Sequence, residues 1–493
     1  MANVTGVDDF LRCGAIHPDL PTERIDTHAA TIVLNGDRAW KMKQPVQFRY
    51  LDFSTVEQRH AALAAELRLN RRTAPDLYLG LHSVRVGPDG SVSLDGPGRA
   101  QDWVLEMRRF DDDALLSRVA DAGRLDDGLL QQLAARVAAL HDTAEVCDDP
   151  AGAARLQKVV DGNLGSMSAF PEILEPARAG ELTERLTEMT ATHTTLLDER
   201  ARSGRVRHGH GDLHLANIAI IDDVPVPFDC LEFDAEMATT DVMYDLAFLV
   251  MDLWARGLRH EANVVVNTYL DLSPADEHAF VLLPLMIGVR ATVRAHVCAA
   301  EGKADRANDY LSLALSLTHP VPARLYAIGG GSGTGKSTVT RAIGGDIGRA
   351  PGARILRSDV LRKQLAGVGI TTHLPSSGYT PEMSAHVYGE INQLAAVYLS
   401  SGMSVIADAV FGRDGDRRGL EDVAERSGVP FVGVWLELSE AERIARIERR
   451  GPDASDADAA VAQAQSTTLD PPDGWLHLNA AGDVVGALQS PIE

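Results

Sequence analysis

Two short stretches of the chain combine residue types that can hold and transfer a phosphoryl group. The first is the glycine-rich segment Gly330-Gly331-Ser332-Gly333-Thr334-Gly335-Lys336-Ser337, which matches the spacing GxxxxGK[ST]. Glycines let the backbone N–H groups point at phosphate oxygens, and a following helix adds the positive end of its dipole. The spacing predicts that Lys336 binds the β- and γ-phosphates of ATP, that Ser337 binds Mg²⁺ and that Thr338 also contacts the nucleotide. The alternative is a glycine-rich turn without a ligand.

The second stretch is His210-Gly211-Asp212-Leu213-His214-Leu215-Ala216-Asn217, followed by Asp229. Phosphoryl transfer to a hydroxyl group needs a carboxylate near the nucleophile and oxygen ligands for Mg²⁺. Asp212 is the candidate base, while Asn217 and Asp229 are the candidate metal ligands. The Asp-x-x-x-x-Asn spacing is that of a kinase catalytic loop.

Two other interpretations of this stretch stay open. His208, His210 and His214 lie close to Asp212 in sequence, which is a pattern that can bind zinc. A structural histidine-rich turn without chemistry is the second alternative. Neither interpretation assigns a role to the asparagine and the later aspartate.

Further polar residues accompany the glycine-rich loop. Asp408 ends an apolar segment, where a carboxylate could bind Mg²⁺. Asp359 could accept a proton from a substrate hydroxyl, and Arg362 could bind an anionic group. Arg446 and Arg450 share a helix face and could close over the transferring phosphoryl group as a lid. The alternative for these two arginines is a solvated helix face.

The region before the second stretch contains candidate residues for binding the phosphates and the adenine of a nucleotide. Lys41 could pair with the α- and β-phosphates, held by an ion pair with Glu66. Lys43 lies on the same strand face and remains an alternative to Lys41. The backbone groups of Glu106 and Met107 are the predicted contacts of adenine.

The predicted secondary structure that positions these residues changes along the chain from mostly strands to mostly helices. Asn35-Gly36 predicts a hairpin between Thr31–Leu34 and Arg38–Met42. Ser54-Thr55-Val56-Glu57 reads as a capping box that opens a helix to about Arg72. Later strands are predicted at Leu81–Val86, Val92–Leu94 and Trp103–Met107. Helical patterns follow, so we predict an N-lobe over 1–110 and a C-lobe over 111–318.

Two prolines after residue 318 stop a helix and mark a linker. Beyond it, strand and helix patterns alternate, which predicts a parallel sheet covered on both faces. The predicted strands are Leu325–Ile328, Arg354–Leu356, Ser404–Ala407 and Val432–Leu436. The expected fold class is therefore an α+β bilobal protein-kinase-like domain over 1–318, followed by an α/β P-loop NTPase domain over 319–493.

Composition narrows the possible partners and compartments. The 493 residues carry a formal net charge of −23, which disfavours a nucleic-acid partner. Four dispersed cysteines and the lack of a signal-peptide pattern indicate the cytoplasm. The apolar stretch Ala279–Val289 is too short to span a bilayer and reads as a buried helix, so no membrane partner is expected.

The motifs carry two family resemblances. Residues from about 324 to 493 resemble small-molecule P-loop kinases, which include gluconate-kinase-like and zeta-toxin-like proteins. The form HGDxHxxN resembles the aminoglycoside-phosphotransferase-like branch of the kinase fold, which includes choline- and sugar-type kinases. In that branch Asp245 would brace the catalytic loop; an ordinary helix surface acid is the alternative. No GxGxxG precedes Lys41, so Thr27-His28-Ala29-Ala30 would have to cover the phosphates.

The whole arrangement is similar to a bacterial family that fuses these two halves. The resemblance implies a bifunctional kinase that uses ATP and Mg²⁺ and phosphorylates hydroxyl groups of small molecules. One alternative makes one half catalytic and the other half a nucleotide-binding regulator. Further alternatives are an aminoglycoside-modifying enzyme and a protein kinase or self-phosphorylating kinase. The acceptor and the oligomeric state are not indicated by the sequence.

Overall fold

The computed structural model describes residues 21–27, 29–48, 51–449, 451 and 453–489. These residues form two compact units. The first consists of the residues up to Leu125 with Ala139–Asp149 and Arg200–Asp245, and the second consists of Asp126–Ala138, Pro150–Glu199 and the chain from Leu246 onward. The boundary expected near residue 319 lies inside the second unit and stays a prediction.

The first unit is built on an antiparallel sheet with the strand order β1-β2-β3-β8-β6-β7. The strands of this region are β1 (Thr22–Asp26), β2 (Ala30–Asn35), β3 (Arg38–Lys43), β4 (Gln47–Phe48), β5 (Leu51–Asp52), β6 (Tyr78–Val86), β7 (Val92–Leu94) and β8 (Arg99–Arg108). Strands β2 and β3 close the predicted hairpin, since Asn35 pairs with Arg38 and Gly36 has a φ of 62°. The short strands β4 and β5 pair separately.

Helix α1 (Val56–Asn70) carries Glu66 on its buried side. Its capping box lies one residue later than expected, because Thr55 and not Ser54 is the N-cap. The Thr55 hydroxyl accepts from the Gln58 N–H at 3.2 Å, and Gln58 Oε1 accepts from the Thr55 N–H at 3.0 Å. The Ser54 N–H instead donates to Asp52 Oδ1 at 3.0 Å, which holds Ser54 outside the helix.

Helices occupy the middle of the chain. They are α2 (Leu116–Asp121), α3 (Asp127–Thr143), α4 (Gly152–Met167), α5 (Pro176–Thr192) and α6 (Thr194–Arg202). The catalytic-loop region of the first unit follows. It consists of β9 (Val206–His208), β10 (Ile218–Ile221), β11 (Val224–Pro227), α7 (Ala235–Ala238) and β12 (Thr239–Asp241). Strands β10 and β11 form a hairpin that separates Asn217 from Asp229 and brings both to one end.

A second group of helices precedes the P-loop region. They are α8 (Val242–Ala255), α9 (Arg259–Leu272), α10 (Leu283–Ala300) and α11 (Ala304–Thr318). Within the described residues, one helical stretch, Pro274–Ala300, is long and apolar enough to cross a membrane, but 78% of its most apolar window is buried inside the protein. This burial is typical of a core helix and agrees with the buried helix expected at Ala279–Val289.

The P-loop region is an α/β layer structure around a parallel sheet with the order β14-β15-β13-β16-β17. Its strands are β13 (Leu325–Gly330), β14 (Arg354–Arg357), β15 (Val405–Asp408), β16 (Phe431–Glu437) and β17 (Leu476–Asn479). Its helices are α12 (Lys336–Gly344), α13 (Ser358–Leu365), α14 (Pro381–Ser400), α15 (Asp414–Ser427), α16 (Glu440–Arg449), α17 (Ala459–Thr468) and α18 (Val484–Gln489). The predicted strands are confirmed within one or two residues, and β17 is an addition to them.

Polar side chains join α9 to the edge strand β14 within the second unit. Asn267 Oδ1 accepts from the Ile355 N–H at 2.7 Å, which satisfies a backbone donor of the sheet edge. The Arg354 side chain, 1% exposed, donates to both carboxylate oxygens of Glu277 and to Asp271, each at 2.8 Å. Because buried charges need partners, this network fixes α9 against the P-loop sheet.

Candidate active sites

The candidate phosphate-binding lysine of the first unit lies among carboxylates. Lys41 Nζ, on β3, is 2.6 Å from Glu66 Oε1 and 2.8 Å from Asp229 Oδ1. Burial acts to lower the pKa of Lys41, but the charges of Asp229 and Glu66 outweigh it and raise that pKa well above its usual value. The ammonium group is therefore kept charged.

The neighbouring lysine uses the same glutamate but does not reach the aspartate. Lys43 Nζ lies 2.8 Å from Glu66 Oε2 and 2.5 Å from Glu232 Oε1. Only Lys41 contacts Asp229 among these two lysines. The geometry thus favours Lys41 over Lys43 as the phosphate ligand.

Asp212 and Asn217 contact each other across the loop that follows β9. Asn217 Nδ2 donates to Asp212 Oδ2 at 2.8 Å and to the Asp212 carbonyl at 3.0 Å. This leaves the amide oxygen of Asn217 as the candidate metal ligand. Burial acts to raise the pKa of Asp212, but the hydrogen bond and charge of His214 outweigh it, so that pKa is lowered. An ionised Asp212 can accept a proton.

Asp229, two residues after β11, has a backbone conformation that only a few residue types adopt without strain. Its φ is 61°, and its N–H donates to the Tyr78 hydroxyl at 3.1 Å. Burial acts to raise its pKa, but Lys41 dominates and lowers the pKa of Asp229 to about 2. Its carboxylate is therefore ionised and turned towards Lys41, as a metal ligand beside the phosphates would be.

The Asp245 carboxylate accepts hydrogen bonds from the backbone of the catalytic loop. This carboxylate is fully buried and accepts from the His210 N–H at 2.7 Å and from the Gly211 N–H at 2.9 Å. His141 Nε2 lies 3.2 Å from the same carboxylate. An exposed helix acid would make none of these contacts, so the bracing role is the one that the geometry supports.

Two histidines of this loop contact the backbone, and His214 also contacts Asp212, because its Nε2 lies 3.4 Å from Asp212 Oδ2. His210 Nε2 lies 3.0 Å from the Phe228 carbonyl, and His214 Nδ1 accepts from the Ala216 N–H at 3.2 Å. Among the described residues, no group of three or more His, Cys, Asp or Glu side chains is arranged to hold a metal ion. This arrangement does not favour the zinc interpretation.

The predicted adenine contacts lie inside strand β8. Met107 pairs with Ala39 of β3, and the Glu106 carboxylate lies 3.0 Å from both Arg38 Nε and His82 Nε2. Their contact with adenine stays a prediction. The segment expected to cover the phosphates contains His28, which lies outside the described residues.

In the second unit, the loop Gly330–Ser337 joins β13 to α12 as predicted. Gly330 and Gly333 have φ values of 133° and 84°, and a Cβ atom on Gly333 would lie 2.6 Å from the Arg443 carbonyl oxygen. Lys336 Nζ donates to the carbonyls of Gly330 and Gly331 at 3.0 and 3.1 Å. Burial lowers the pKa of Lys336, and Asp408 and Asp359 offset it only partly.

The candidate metal ligands of this unit contact each other directly. Strand β15 runs beside β13, so Asp408 is level with Ile328, at the carboxyl end of the sheet. Ser337 Oγ donates to Asp408 Oδ2 at 2.7 Å. A hydroxyl and a carboxylate at this place provide the oxygen ligands that Mg²⁺ prefers.

Asp359, the candidate base, lies in the first turn of α13. Burial raises its pKa, and a hydrogen bond from Ser455 reduces the shift without reversing it. A carboxylate with a raised pKa holds a proton more readily, which suits a general base. Asp359 lines a cleft of about 1870 Å³ together with Lys336, Ser337 and Asp408.

The arginines expected to form a lid differ from one another. Arg446 donates to the carbonyls of Thr334 and Ala480, each at 3.0 Å, so it contacts the P-loop directly. Arg450 lies outside the described residues. The lid role of both stays a prediction.

Two residues near the P-loop were missed in the sequence. Arg443 is 5% exposed, and its Nη1 occupies the place where a side chain on residue 331 would begin. This nitrogen has no hydrogen-bond partner among the described residues. Gln465 Oε1 accepts from the Ser332 N–H at 2.6 Å. Arg443 lies three residues before Arg446, so helical spacing could have indicated it, whereas no pattern indicates Gln465.

The chain is similar to several known proteins. The family model described as an AAA domain matches residues 325–472. Among solved structures, a choline kinase from Cryptosporidium parvum covers 63% of this chain and 95% of its own, with 9% identity and a TM-score of 0.42. A gluconokinase from Sinorhizobium meliloti covers 33% of this chain and 86% of its own, with 23% identity and a TM-score of 0.25.

The structure confirms the predicted succession of an α+β region with an antiparallel sheet and a P-loop region with a parallel sheet. A full-length relative has also been found. The uncharacterized protein Rv2004c of Mycobacterium tuberculosis is 30% identical over 477 residues, which are 93% of this chain and 92% of the relative. The chain therefore belongs to the same family as this mycobacterial protein.

Proposed function

We propose that the chain is a bifunctional phosphotransferase with two independent sites for ATP and Mg²⁺, each of which phosphorylates a hydroxyl group of a small molecule. One observation supports the proposal: each unit has its own candidate phosphate-binding lysine, candidate base and candidate metal ligands. The first unit contains Lys41, Asp212 and Asn217 with Asp229, and the second contains Lys336 and Asp359 with the bonded pair Ser337 and Asp408.

In the first unit, Lys41 would bind the α- and β-phosphates, because its ammonium is held charged beside Asp229. Asn217 and Asp229 would hold Mg²⁺ through oxygen atoms. Asp212 would orient the acceptor hydroxyl and take its proton as the oxygen attacks the γ-phosphorus.

In the second unit, the backbone N–H groups of the P-loop would bind the phosphates and Lys336 would turn from its carbonyl partners to the β- and γ-phosphates. Ser337 and Asp408 would hold Mg²⁺, which when bound neutralises charge on the phosphate oxygens. Asp359 would take the proton of the acceptor hydroxyl.

Single and double variants test the independence of the two sites. In a screen of hydroxylated metabolites, we expect Asp212→Asn to lower phosphorylation of the first unit's acceptor by about 10²–10⁴-fold, because it removes the general base. Lys336→Ala should lower phosphorylation of the second unit's acceptor, because it removes the ammonium that would bind the β- and γ-phosphates. The double variant would lose both activities. Product masses identify which acceptor belongs to which unit.

The regulator alternative gives a different result. If one substitution leaves every phosphorylated product unchanged while it weakens nucleotide binding, that unit binds nucleotide as a regulator. If neither substitution affects nucleotide binding or turnover, the proposal of two sites is wrong.

A further inference from the structure

A buried arginine in the P-loop cleft lacks an anionic partner. Arg362, on α13, is 7% exposed. Its Nη1 donates to the Gly378 carbonyl at 3.1 Å, its guanidinium carbon lies 4.9 Å from the centre of the Tyr379 ring, and its Nε is buried without a hydrogen-bond partner. Among the residues that the structure describes, no carboxylate lies within ion-pair distance of this guanidinium group.

Two cations close to Arg362 in the chain are paired with carboxylates. Lys363 Nζ, on the same helix, lies 2.9 Å from Asp456, and Arg357 Nη2 lies 2.9 Å from Asp453. Burying a charge without a counterion costs several kcal/mol, whereas the paired neighbours recover this cost. The contrast indicates that the counterion of Arg362 is supplied by a ligand.

The cleft places this positive charge close to the candidate base. Arg362 and Asp359 both line it, and their spacing of three residues puts them on one face of α13. His373, Ser384 and Tyr388 line the same cleft and offer groups that can hydrogen-bond hydroxyls.

We propose that the acceptor of the P-loop site is a hydroxylated anion whose carboxylate or phosphate binds Arg362 while its hydroxyl faces Asp359. This inference depends on the proposed P-loop kinase function and names its substrate class. In the reaction the acceptor oxygen forms a bond to the γ-phosphorus of ATP, the bond from that phosphorus to the ADP oxygen breaks, and the hydroxyl proton passes to Asp359.

Binding of small anions tests the inference without a known acceptor. The full chain is saturated with Mg²⁺ and a non-hydrolysable ATP analogue, and malonate or methylphosphonate is titrated calorimetrically at constant ionic strength. We expect saturable binding of at least one of them, and Arg362→Met to weaken it by about tenfold or more, since a hydrogen bond to a charged group contributes about 1.5–3 kcal/mol. The anion that binds more tightly distinguishes a carboxylate from a phosphate.

Arg413→Gln is the matched control, because Arg413 is an exposed arginine that lines the same cleft. It should bind the anions as the unchanged protein does. Absence of saturable binding, or equal binding by Arg362→Met, overturns the inference. The nucleotide titration is read separately: if Lys336→Ala binds as much analogue as the unchanged protein, the P-loop function itself is wrong.

The unfolding temperature supplies a second test, because a purely structural arginine and a ligand-binding arginine predict different results. In a buffer without oxyanions, Arg362→Met should unfold at the same or a higher temperature, because it removes an uncompensated buried charge. Lys363→Met should unfold at a clearly lower temperature, because it leaves Asp456 without its ammonium partner. A large loss of stability in Arg362→Met would show a structural role and overturn the inference.

Discussion

The two units place a phosphate-binding lysine in different ways. In the first unit, Lys41 is held by carboxylates that lie 25 and 188 residues away in the chain. In the second, Lys336 is held by the carbonyls of its own loop, five and six residues before it. One ammonium is fixed by long-range ion pairs and the other by local backbone.

The difference has an electrostatic consequence. Carboxylates beside Lys41 raise its pKa despite burial, while Lys336, bonded to neutral carbonyls, has a pKa that burial lowers. The first lysine therefore depends on the surrounding tertiary structure for its charge. For Lys336, the charges of Asp408 and Asp359 offset the effect of burial only partly.

The largest effect should come from removing the carboxylate that joins both lysines of the first unit. Glu66→Ala leaves Lys41 and Lys43 buried with only Asp229 and Glu232 as partners. We expect the first unit to lose about 3–5 kcal/mol of unfolding free energy, the usual cost of breaking a buried ion pair. Hydrogen exchange of the β3 and α1 amides measures it.

Asp408→Ala is the corresponding change in the P-loop unit. It removes the hydrogen bond that Ser337 donates and a longer contact, 3.8 Å, with Arg357, which keeps Asp453 as its closer partner. We expect a cost of about 1–2 kcal/mol in the exchange of β13 and β15 amides. Equal losses in the two units would contradict the distinction between side-chain and backbone support.

The next effect concerns the metal. Asp408→Asn keeps the shape of the side chain but removes its charge beside Ser337. We expect the Mg²⁺ concentration that half-saturates nucleotide binding at the P-loop to rise about 10–100-fold. The background Lys41→Ala isolates this site. An unchanged Mg²⁺ requirement would exclude Asp408 as a metal-site residue.

The two lysines should also respond differently to pH. Phosphate binds the ammonium form, so affinity falls as pH rises through the pKa of the free site. Because the pKa of Lys336 is lowered and that of Lys41 is raised, the P-loop site should lose affinity at the lower pH. Titrations of a fluorescent ATP analogue with Lys41→Ala and Lys336→Ala measure each site alone. The reverse order would show that burial does not lower the pKa of Lys336 below that of Lys41.

The same contrast explains which parts of the molecule the sequence could predict. The P-loop residues are consecutive, so their spacing identifies them and the helix that follows. Asp212 and Asn217 also lie on one loop. By contrast, the choice between Lys41 and Lys43 depends on whether the side chain reaches Asp229, and strand periodicity places both lysines on the same face.

Long-range polar contacts could not be predicted from the sequence either, because the two residues of each contact lie far apart in the chain. Arg354 pairs with Glu277, which is 77 residues away, and no local pattern connects them. Gln465 reaches Ser332 across 133 residues. The capping box was displaced by one residue because two adjacent hydroxyl side chains can each begin a helix, and only the contact between Asp52 and Ser54 decides between them.

The smallest expected effect concerns the N-termini of two helices. Helix α1 carries Glu66, the partner of Lys41, and helix α12 begins with Lys336. Helix α1 has a side-chain cap, Thr55, whereas the N-cap of α12, Gly335, provides none, so the N–H groups of α12 face the loop that would bind phosphate. Thr55→Ala should cost about 1 kcal/mol in the exchange of α1 amides, with or without nucleotide.

Helix α12 should behave in the opposite way, because bound phosphate would replace the missing cap. Adding an ATP analogue with Mg²⁺ at about 100 times its dissociation constant should protect the α12 amides by up to about 2.7 kcal/mol. Lys336→Ala should reduce that gain and leave the Thr55→Ala effect unchanged. If nucleotide fails to protect α12, or abolishes the cost of Thr55→Ala, the two helices do not divide into one capped by protein and one capped by ligand.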